Sequence, residues 1–353
     1  MRLSYSGFRR RTARWAVAGI VPLLLASASC GSDPKPAATT GRTTVRLGYF
    51  ANVTHATAVY GVESGTIQSA FGPNNLNFST FNAGPAAVEA LFSNALDAAY
   101  VGPNPAINAY AKSGGEAIRI ISGATSGGAS LVVKASINGP ADLKGKKVAT
   151  PQLGNTQDIA LRSWLKQNGL KTDVQGGGDV SIVPQENAQT LETFRSGQVD
   201  GAWVPEPWAT RLVQEGGGKV LVDERTLWPG GQFVTTQLIV RTQFLKQHPD
   251  AVRHLLEGQV RANDFVNQNP DVAQKVVNQG IAKITGKALP ESVIKAAWAN
   301  MTFTNDPIAA SLKVSAAHAT DVGLLDKVNL DGIYDLAPLN RVLADANQPA
   351  VKG

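Results

Sequence analysis

The stretch NAGPAAVEALFSNALDAAYVGPNP, residues 82–105, decides the fold that we expect. From Val88 to Ala95, including Leu91 and Phe92, apolar residues recur at the spacing of one helix face. Residues 98–101 form a short apolar run typical of a buried strand, and a Gly-Pro pair ends it. The Asn-Pro pair that follows is typical of the cap and first turn of another helix. The stretch therefore predicts a helix, a buried strand and a second helix.

Neither predicted helix begins with an acidic residue, because 84–88 and 102–111 contain no Asp or Glu. A helix N-terminus offers unpaired N–H groups and about half a positive charge. Two such ends that face one cleft would form an anion site. Helices without an acid in the first turn also occur where the N-terminus faces only water, so both interpretations stay open.

The segments around this stretch alternate between strand and helix patterns. Residues 45–50 and 76–81 alternate like strands, and 117–121 is a further strand run. This order is typical of an α/β layer with a parallel sheet. Ligands of such sheets bind beyond the carboxyl ends of the strands, which here are the loops at 52–55, 83–84, 102–104 and 124–129.

The second half of the chain nearly repeats the first. Residues 92–103 and 194–205 both run from a phenylalanine to a proline through an aspartate and a short apolar strand, with a one-residue slip at the aspartate. Each then enters a Pro-X-Pro loop. Chance also produces such pieces, but the recurrence favours two similar lobes that face one another.

Length and patterning together divide the chain into segments. Its 353 residues suggest two domains, and 43% hydrophobic with 17% charged residues is typical of a soluble globular protein. We predict a signal peptide at 1–29, a flexible tether at 30–44, lobe I at 45–133, lobe II at 134–234, and a return to lobe I with C-terminal helices at 235–353. The predicted crossovers lie near Val133 and Thr235.

The first 29 residues explain the basic charge of the chain. Five arginines precede an apolar run at 15–26, which is shorter than the about 20 residues that span a bilayer. Small residues follow, as in a secretory signal. Removing this segment lowers the formal net charge from +6 to +1, since it holds five arginines and no acids. The charge therefore gives no case for a nucleic-acid partner.

Cys30 is the only cysteine and lies at the expected cleavage point. This position resembles a bacterial lipobox, with Ser27 where leucine is preferred. We predict that Cys30 carries a lipid anchor; ordinary cleavage beside an incidental cysteine is the alternative. The segment after it is rich in Pro, Ala and Thr, which predicts a tether.

The sequence contains no recognisable catalytic set, phosphate loop or pair of His or Cys at metal spacing. We therefore expect no enzyme activity, no metal and no cofactor. His55 is either a loop histidine bonded to the backbone or a donor to an anion. Glu206 is either a helix cap or partner of Arg211, or the acceptor for an ammonium group on a ligand. Trp208 is a candidate wall of an apolar pocket, although tryptophan is more often core.

In this order, residues 82–105, 142–149, 154–156, 200–208 and 332–336 resemble the solute-binding proteins of bacterial ABC importers, in the branch that takes aliphatic sulfonates, taurine or nitrate. The resemblance implies an α/β, two-lobed periplasmic binding protein-like fold (type II), each lobe a mostly parallel sheet flanked by helices. It also implies ligand contacts at Asn52, Thr54, His55, Gly84, Gly102, Asn104, Ser126, Gly127, Asn155, Thr156, Glu206 and Trp208.

The same resemblance implies a function. We expect an exported, lipid-anchored monomer on the outer side of the cytoplasmic membrane. It would capture a small anionic nutrient, with an aliphatic sulfonate or taurine favoured over nitrate, and deliver it to permease and ATPase subunits. The alternatives are a pyrimidine (thiamine-precursor) binding protein or a related synthesis enzyme on the same fold, and a sensory surface lipoprotein.

Overall fold

The computed structural model describes residues 43–72 and 74–353. The predicted signal peptide, Cys30 and residues 30–42 of the predicted tether lie outside the described residues. Within the described ranges, every helix falls short of the length and apolar character that a bilayer crossing requires.

The strands lie in two sheets. In chain order they are β1 (Thr44–Phe50), β2 (Asn75–Phe81), β3 (Ala98–Val101), β4 (Ile118–Gly127), β5 (Ala129–Val133), β6 (Lys147–Thr150), β7 (Ser181–Pro184), β8 (Gly201–Pro205), β9 (Lys219–Asp223), β10 (Val234–Arg241) and β11 (Met301–Phe303). One sheet has the order β11-β4-β10-β3-β1-β2 and the other β7-β6-β8-β5-β9. We call the parts built on them lobe I and lobe II.

Helices cover both faces of each sheet. They are α1 (Ala56–Glu63), α2 (Thr66–Ala70), α3 (Gly84–Phe92), α4 (Pro103–Lys112), α5 (Thr156–Gln167), α6 (Asn187–Arg195), α7 (Trp208–Gln214), α8 (Thr242–Gln247), α9 (Pro249–Gln268), α10 (Pro270–Thr285), α11 (Glu291–Trp298), α12 (Ala309–Asp321) and α13 (Ala337–Asp345). In lobe I, α3, α4 and α12 pack on one face and the others of that lobe on the opposite face. In lobe II, α5 packs on one face and α6 and α7 on the other.

The sheets are mixed, which corrects the expectation of mostly parallel pairing. In lobe I, β1 pairs in parallel with β2 and β3, whereas β10 and β11 pair antiparallel with their neighbours. In lobe II, β6 pairs in parallel with β7 and β8, whereas β5 pairs antiparallel with β8 and β9. Strands β5 and β10 each follow a crossing between lobes. They enter their sheets from the cleft side and therefore run against the strands that end there.

The first crossing lies earlier than predicted. We expected residues 129–133 in lobe I, but β5 pairs only with lobe II strands. The chain crosses at Gly127 and Gly128, whose φ angles of +79° and +76° favour glycine. A Cβ atom on Gly127 would lie 2.8 Å from the carbonyl oxygen of Asn300. The error arose because an apolar run identifies a strand but not the sheet it joins.

The predicted repeat is confirmed by hydrogen bonds around its two aspartates. The Asp97 carboxylate accepts from Arg46 N–H at 2.9 Å, and the Asp200 carboxylate accepts from Lys147 N–H at 2.9 Å. The backbone carbonyls of the same aspartates accept from Arg241 and from Lys134, both at 2.9 Å. In each lobe, the aspartate therefore connects the strand that follows it to two neighbouring strands. In lobe I, Asp97 connects β3 to β1 and β10, and in lobe II, Asp200 connects β8 to β6 and β5.

Helix α3 is confirmed, but its buried face is narrower than the sequence predicted. Val88 and Leu91 are buried, whereas Phe92 is 37% exposed and Ala95 is exposed. The helix ends at Phe92 and Asn94 turns the chain with φ of +59°, so the residues beyond Leu91 leave the helical face.

Candidate functional site

A small cavity lies between the carboxyl ends of the strands of the two lobes. Its volume is about 20 Å³, close to the space that one water molecule occupies. Lobe I contributes loops after β1, β2 and β3 and the start of β10, and lobe II contributes loops after β6 and β7 and the last residue of β8. The lining residues are Phe50, Asn52, Thr54, His55, Asn82, Gly102, Pro151, Asn155, Thr156, Gln157, Asn187, Pro205, Thr235 and Thr236. None of these fourteen residues is an Asp, Glu, Lys or Arg.

Three helices begin at this cavity. Gly102 is the N-cap of α4, Asn155 is the N-cap of α5, and Asn187 is the first residue of α6. No N-cap side chain bonds any of these three N-termini. Helix α5 carries Asp158 in its first turn, but this carboxylate is paired with Arg162 at 3.0 Å. Their first N–H groups and the positive ends of their dipoles are therefore available to a group between the lobes.

Buried polar atoms without a partner lie on the same cavity. Within the described residues, Thr156 Oγ1, Asn187 Oδ1 and Thr236 Oγ1 make no hydrogen bond, although each residue is at most 7% exposed. Leaving such a group unpaired costs about 1–3 kcal/mol. Three of them on one cavity indicate a place where a polar ligand supplies the missing bonds.

His55 contributes a neutral donor. Phe50 N–H donates to Nδ1 of His55 at 3.3 Å, and the two rings lie 4.2 Å apart. Burial lowers the pKa of His55 to about 3, so the ring is uncharged at neutral pH. Because Nδ1 accepts, the proton of the neutral ring resides on Nε2. The backbone bond expected of a loop histidine is present, and a second nitrogen remains for donation.

The structure brings half of the predicted ligand residues to the cavity. Those on its lining are Asn52, Thr54, His55, Gly102, Asn155 and Thr156. The others lie elsewhere: Trp208 lines an adjoining groove, and Gly84, Asn104, Ser126, Gly127 and Glu206 do not line the cavity.

Each residue that misses the cavity has an identifiable structural role. The Asn104 amide donates to the Ser315 carbonyl at 3.2 Å, on the side of α12. Ser126 Oγ accepts from Phe233 N–H at 3.3 Å beside the crossing. Gly127 forms that crossing. A Cβ atom on Gly84 would meet the ring of Pro105 within lobe I, so this glycine permits the close packing of α3 on α4.

Glu206 is a helix cap, as the simpler interpretation expected. Its carboxylate accepts from Thr210 N–H at 3.0 Å, from Thr210 Oγ1 at 2.9 Å and from Asn300 Nδ2 at 2.7 Å. The predicted pairing with Arg211 is wrong, because Arg211 pairs with Glu215 at 2.8 Å. Burial raises the pKa of Glu206. Since Asn300 belongs to lobe I, the carboxylate also joins the lobes.

A groove of about 840 Å³ adjoins the cavity between the lobes. Trp208 lines it and donates from Nε1 to Asn52 Oδ1 at 2.9 Å, which joins lobe II to lobe I. The guanidinium of Arg211 lies 4.8 Å from the indole centroid. Two other tryptophans do not line the groove: Trp203 is fully buried in lobe II, and Trp228 stacks on Phe233 at 5.3 Å.

Sequence reasoning missed five polar residues of the cavity, namely Asn82, Gln157, Asn187, Thr235 and Thr236. Two signals could have found some of them. Asn187 opens a helix shortly after a strand, like the positions that were predicted. Thr235 and Thr236 are a polar pair at the start of a strand next to a crossover.

The described residues contain no group of three or more His, Cys, Asp or Glu side chains placed to hold a metal ion.

Comparison with known proteins identifies related sequences and folds. The sequence profile of the NMT1-like family matches residues 38–281. The taurine-binding periplasmic protein of Escherichia coli (strain K12) is 28% identical over 222 residues, which are 63% of this chain and 64% of that protein. The match therefore spans less than two thirds of that relative's length.

Two solved structures have the same fold. The alkanesulfonate-binding protein SsuA from Xanthomonas axonopodis pv. citri, bound to MOPS, gives a TM-score of 0.71 at 20% identity and covers 85% of this chain and 100% of its own. The periplasmic nitrate-binding protein NrtA from Synechocystis PCC 6803 gives a TM-score of 0.74 at 16% identity, and the match covers 87% of this chain and 90% of that protein. The periplasmic binding protein fold and the family resemblance predicted from the sequence are confirmed.

Proposed function

Because the chain belongs to the NMT1-like family, we propose that it is the solute-binding component of an ABC importer and captures a small anion between its lobes. An aliphatic sulfonate or taurine is the favoured solute, and nitrate is the second choice. The names of the relatives reported above state that they bind taurine, alkanesulfonates or nitrate, which supports this range of ligands. The function is capture rather than catalysis.

One arrangement supports the proposal most strongly. Three uncapped helix N-termini and three unpartnered buried polar atoms lie on one uncharged cavity between the lobes. Hydrogen bonds to a charged group contribute about 1.5–3 kcal/mol each. Backbone N–H groups, hydroxyls and His55 Nε2 can thus hold an anion without an arginine. Because residues of both lobes line the cavity, a ligand that binds there would shift the population of molecules towards the closed arrangement of the lobes.

We also propose that the protein is exported and held at the outer side of the cytoplasmic membrane by a lipid on Cys30, works as a monomer, and docks on permease and ATPase subunits. Intact mass spectrometry of membrane-extracted protein tests the anchor. A diacylglyceryl mass that disappears in Cys30→Ser supports it, and an unmodified Cys30 contradicts it.

The test of function is a solute screen. Thermal shift followed by calorimetry would compare taurine, alkanesulfonates, nitrate and pyrimidines on the purified protein. We expect the sulfonates to bind and Thr156→Val, which removes an unpartnered hydroxyl, to weaken binding by about tenfold or more. The matched control is Thr320→Val at an exposed position on α12. Binding of pyrimidines alone would favour the alternative ligand, and no binding by any of these solutes would refute the proposal.

A further inference from the structure

A chain of polar side chains crosses the core of lobe I behind the cavity. Thr57 Oγ1 donates to Asn263 Oδ1 at 2.5 Å, and Asn263 Nδ2 donates to Asn305 Oδ1 at 2.8 Å. Gln259 Nε2 approaches the same Asn305 oxygen at 3.4 Å, and Gln259 Oε1 accepts from Tyr100 OH at 2.5 Å. We call these five residues the amide chain. It links α1 to β3 through two amides of α9.

The amide chain lies among apolar side chains. Thr57, Tyr100, Gln259 and Asn263 are each at most 1% exposed, within the apolar core that α1, α9 and β3 share. Every N and O atom of these four side chains has a hydrogen-bond partner, since Gln259 Nε2 also donates to the Gly123 carbonyl at 3.0 Å. Apolar groups of the same shape can replace such paired polar groups with little loss of stability. The particular contribution of the chain is therefore directional: it fixes one arrangement of the elements that it joins.

The ends of the amide chain lie next to the cavity. Thr57 is the second residue of α1, and His55, the N-cap of that helix, lines the cavity. At the other end, Tyr100 lies two residues before Gly102, which also lines the cavity. None of the five residues of the amide chain lines the cavity itself. Any effect that they have on a bound solute must pass through the residues that do.

The neighbouring Thr54 is held by other contacts. Its carbonyl oxygen accepts from Thr125 Oγ1 at 2.7 Å, and its N–H donates to the Glu206 carbonyl at 3.3 Å. The start of α1, directly after His55, is held by the bond from Thr57 to the amide chain. Of these two neighbouring cavity residues, His55 is therefore the one whose position depends on the amide chain.

We propose that Asn263 is a positioning residue for solute binding, because its amide fixes Thr57 and thereby the start of α1 that places His55 at the cavity. This inference rests on the proposed function, in which His55 Nε2 donates to the anion. It adds to that function a residue of α9 that does not touch the solute. Gln259 supports the same arrangement from β3 through Tyr100.

The first experiment follows the His55 ring by NMR titration in the wild type, Thr57→Val and Asn263→Leu. Burial lowers the pKa of His55 to about 3, and no Asp, Glu, Lys or Arg lines the cavity around it. If the start of α1 loosens, water reaches the ring and its pKa should rise towards 6.5. Thr57→Ser keeps the hydroxyl and should keep the wild-type titration. A purely structural contact would lower stability and leave the pKa of His55 unchanged.

The second experiment measures the Kd of ethanesulfonate and of taurine by calorimetry. Thr57→Val should raise both Kd values by about two- to tenfold, the effect of one lost hydrogen bond. The matched control is Thr242→Val, which removes a buried hydroxyl that accepts from Arg119 at 3.2 Å. Thr242 lies six residues beyond Thr236, about 20 Å along the chain from the cavity, and its loss should leave both Kd values unchanged.

A double-mutant cycle identifies the residue through which Thr57 acts. In the His55→Gln background, Thr57→Val should have little further effect on either Kd. Thr57→Val and Asn263→Leu break the same contact from its two ends, so either variant decides if it folds.

Hydrogen exchange of the wild type adds a measurement that needs no variant. The His55 amide donates to the Asn52 carbonyl at 3.0 Å and should exchange as slowly as the amides of α9 around Asn263. Faster exchange of His55 through a local opening would show that the amide chain does not hold it.

The outcomes separate this inference from the proposed function. An unchanged pKa of His55 or unchanged Kd values in a folded variant, an equal loss in Thr242→Val, or a full effect of Thr57→Val in the His55→Gln background would each overturn the positioning role. If ethanesulfonate, taurine and nitrate all fail to bind the wild type, the proposed function falls. The titration and the exchange would then still show whether the amide chain holds His55.

Discussion

Gly102→Ala should block closure of the lobes while leaving the fold of lobe I intact. Gly102 has φ of −73°, which alanine adopts without strain. A Cβ atom at this position would lie less than 3.0 Å from Thr156 Oγ1, 3.3 Å from Thr156 Cβ and 3.4 Å from the Thr235 carbonyl oxygen. Since Thr156 belongs to lobe II, the main clash exists only when the lobes are together.

The magnitude follows from the cost of overpacking. Inserting a methyl group into a well-packed contact typically costs about 1–3 kcal/mol. Here that cost falls on the closed state, so the affinity for solute should weaken by about 5- to 150-fold. The unfolding free energy measured without solute should fall by less, because the lobes can separate to relieve the clash.

Calorimetry of solute binding and chemical denaturation together check this prediction. Gly139→Ala is the matched control, because a Cβ atom there would have no atom within 4 Å. A double-mutant cycle with Thr156→Ala identifies the clash, since removing the hydroxyl should relieve most of the effect of Gly102→Ala. Wild-type affinity in Gly102→Ala, or the same loss in the Thr156→Ala background, would show that the lobes do not meet here when solute is bound.

Three further predictions concern stability without solute. Gly84→Ala should lower the free energy of unfolding by about 1–3 kcal/mol, because the new Cβ atom would lie 2.7 Å from Pro105 Cβ in the same lobe. An unchanged midpoint of chemical denaturation would contradict this packing. The contribution of His55 to the free energy of unfolding should fall by about 1.4 kcal/mol per pH unit as the pH falls from 6.5 towards 3, because in this range only the unfolded chain takes up the proton. Chemical denaturation at several pH values measures this slope, and His55→Gln should lack it. Burial raises the pKa of Glu224 to about 7, so the contribution of its carboxyl group to the free energy of unfolding is lost as the pH rises from 4.5 to 7. Glu224→Gln should therefore be more stable than the wild type above pH 7. Equal pH profiles of stability for the two proteins would refute the pKa shift.

Local patterns predicted local structure well. The helix and strand of residues 84–101 follow from apolar spacing, and the paired aspartates follow from the near-repeat. The sheet to which β5 belongs could not be predicted in this way, because partner strands are chosen by contacts far apart in the chain. The end of α3 at Phe92 depends on the positive φ of Asn94, which the apolar pattern does not encode.

The candidate site was predictable where it follows strand ends. Thr54 was found because loops at the carboxyl ends of strands face the cleft, whereas Thr156 was found through the family resemblance. Asn104 was predicted to contact the ligand but does not line the cavity, because the orientation of its side chain depends on the packing of α4 against α12. Thr236 was missed because its strand returns from the other lobe and begins, rather than ends, at the cleft. Loop position therefore predicts the region, and tertiary packing decides which side chains reach the cavity.

The uncharged lining limits the valence of the ions that the cleft can accept. Three helix N-termini supply about half a positive charge each, which balances one negative charge but not two. A sulfate dianion would carry uncompensated charge into a buried site and would lose more hydration energy than the donors of the site replace. If the cleft is the binding site, we therefore expect a monovalent anion to bind in preference to divalent sulfate.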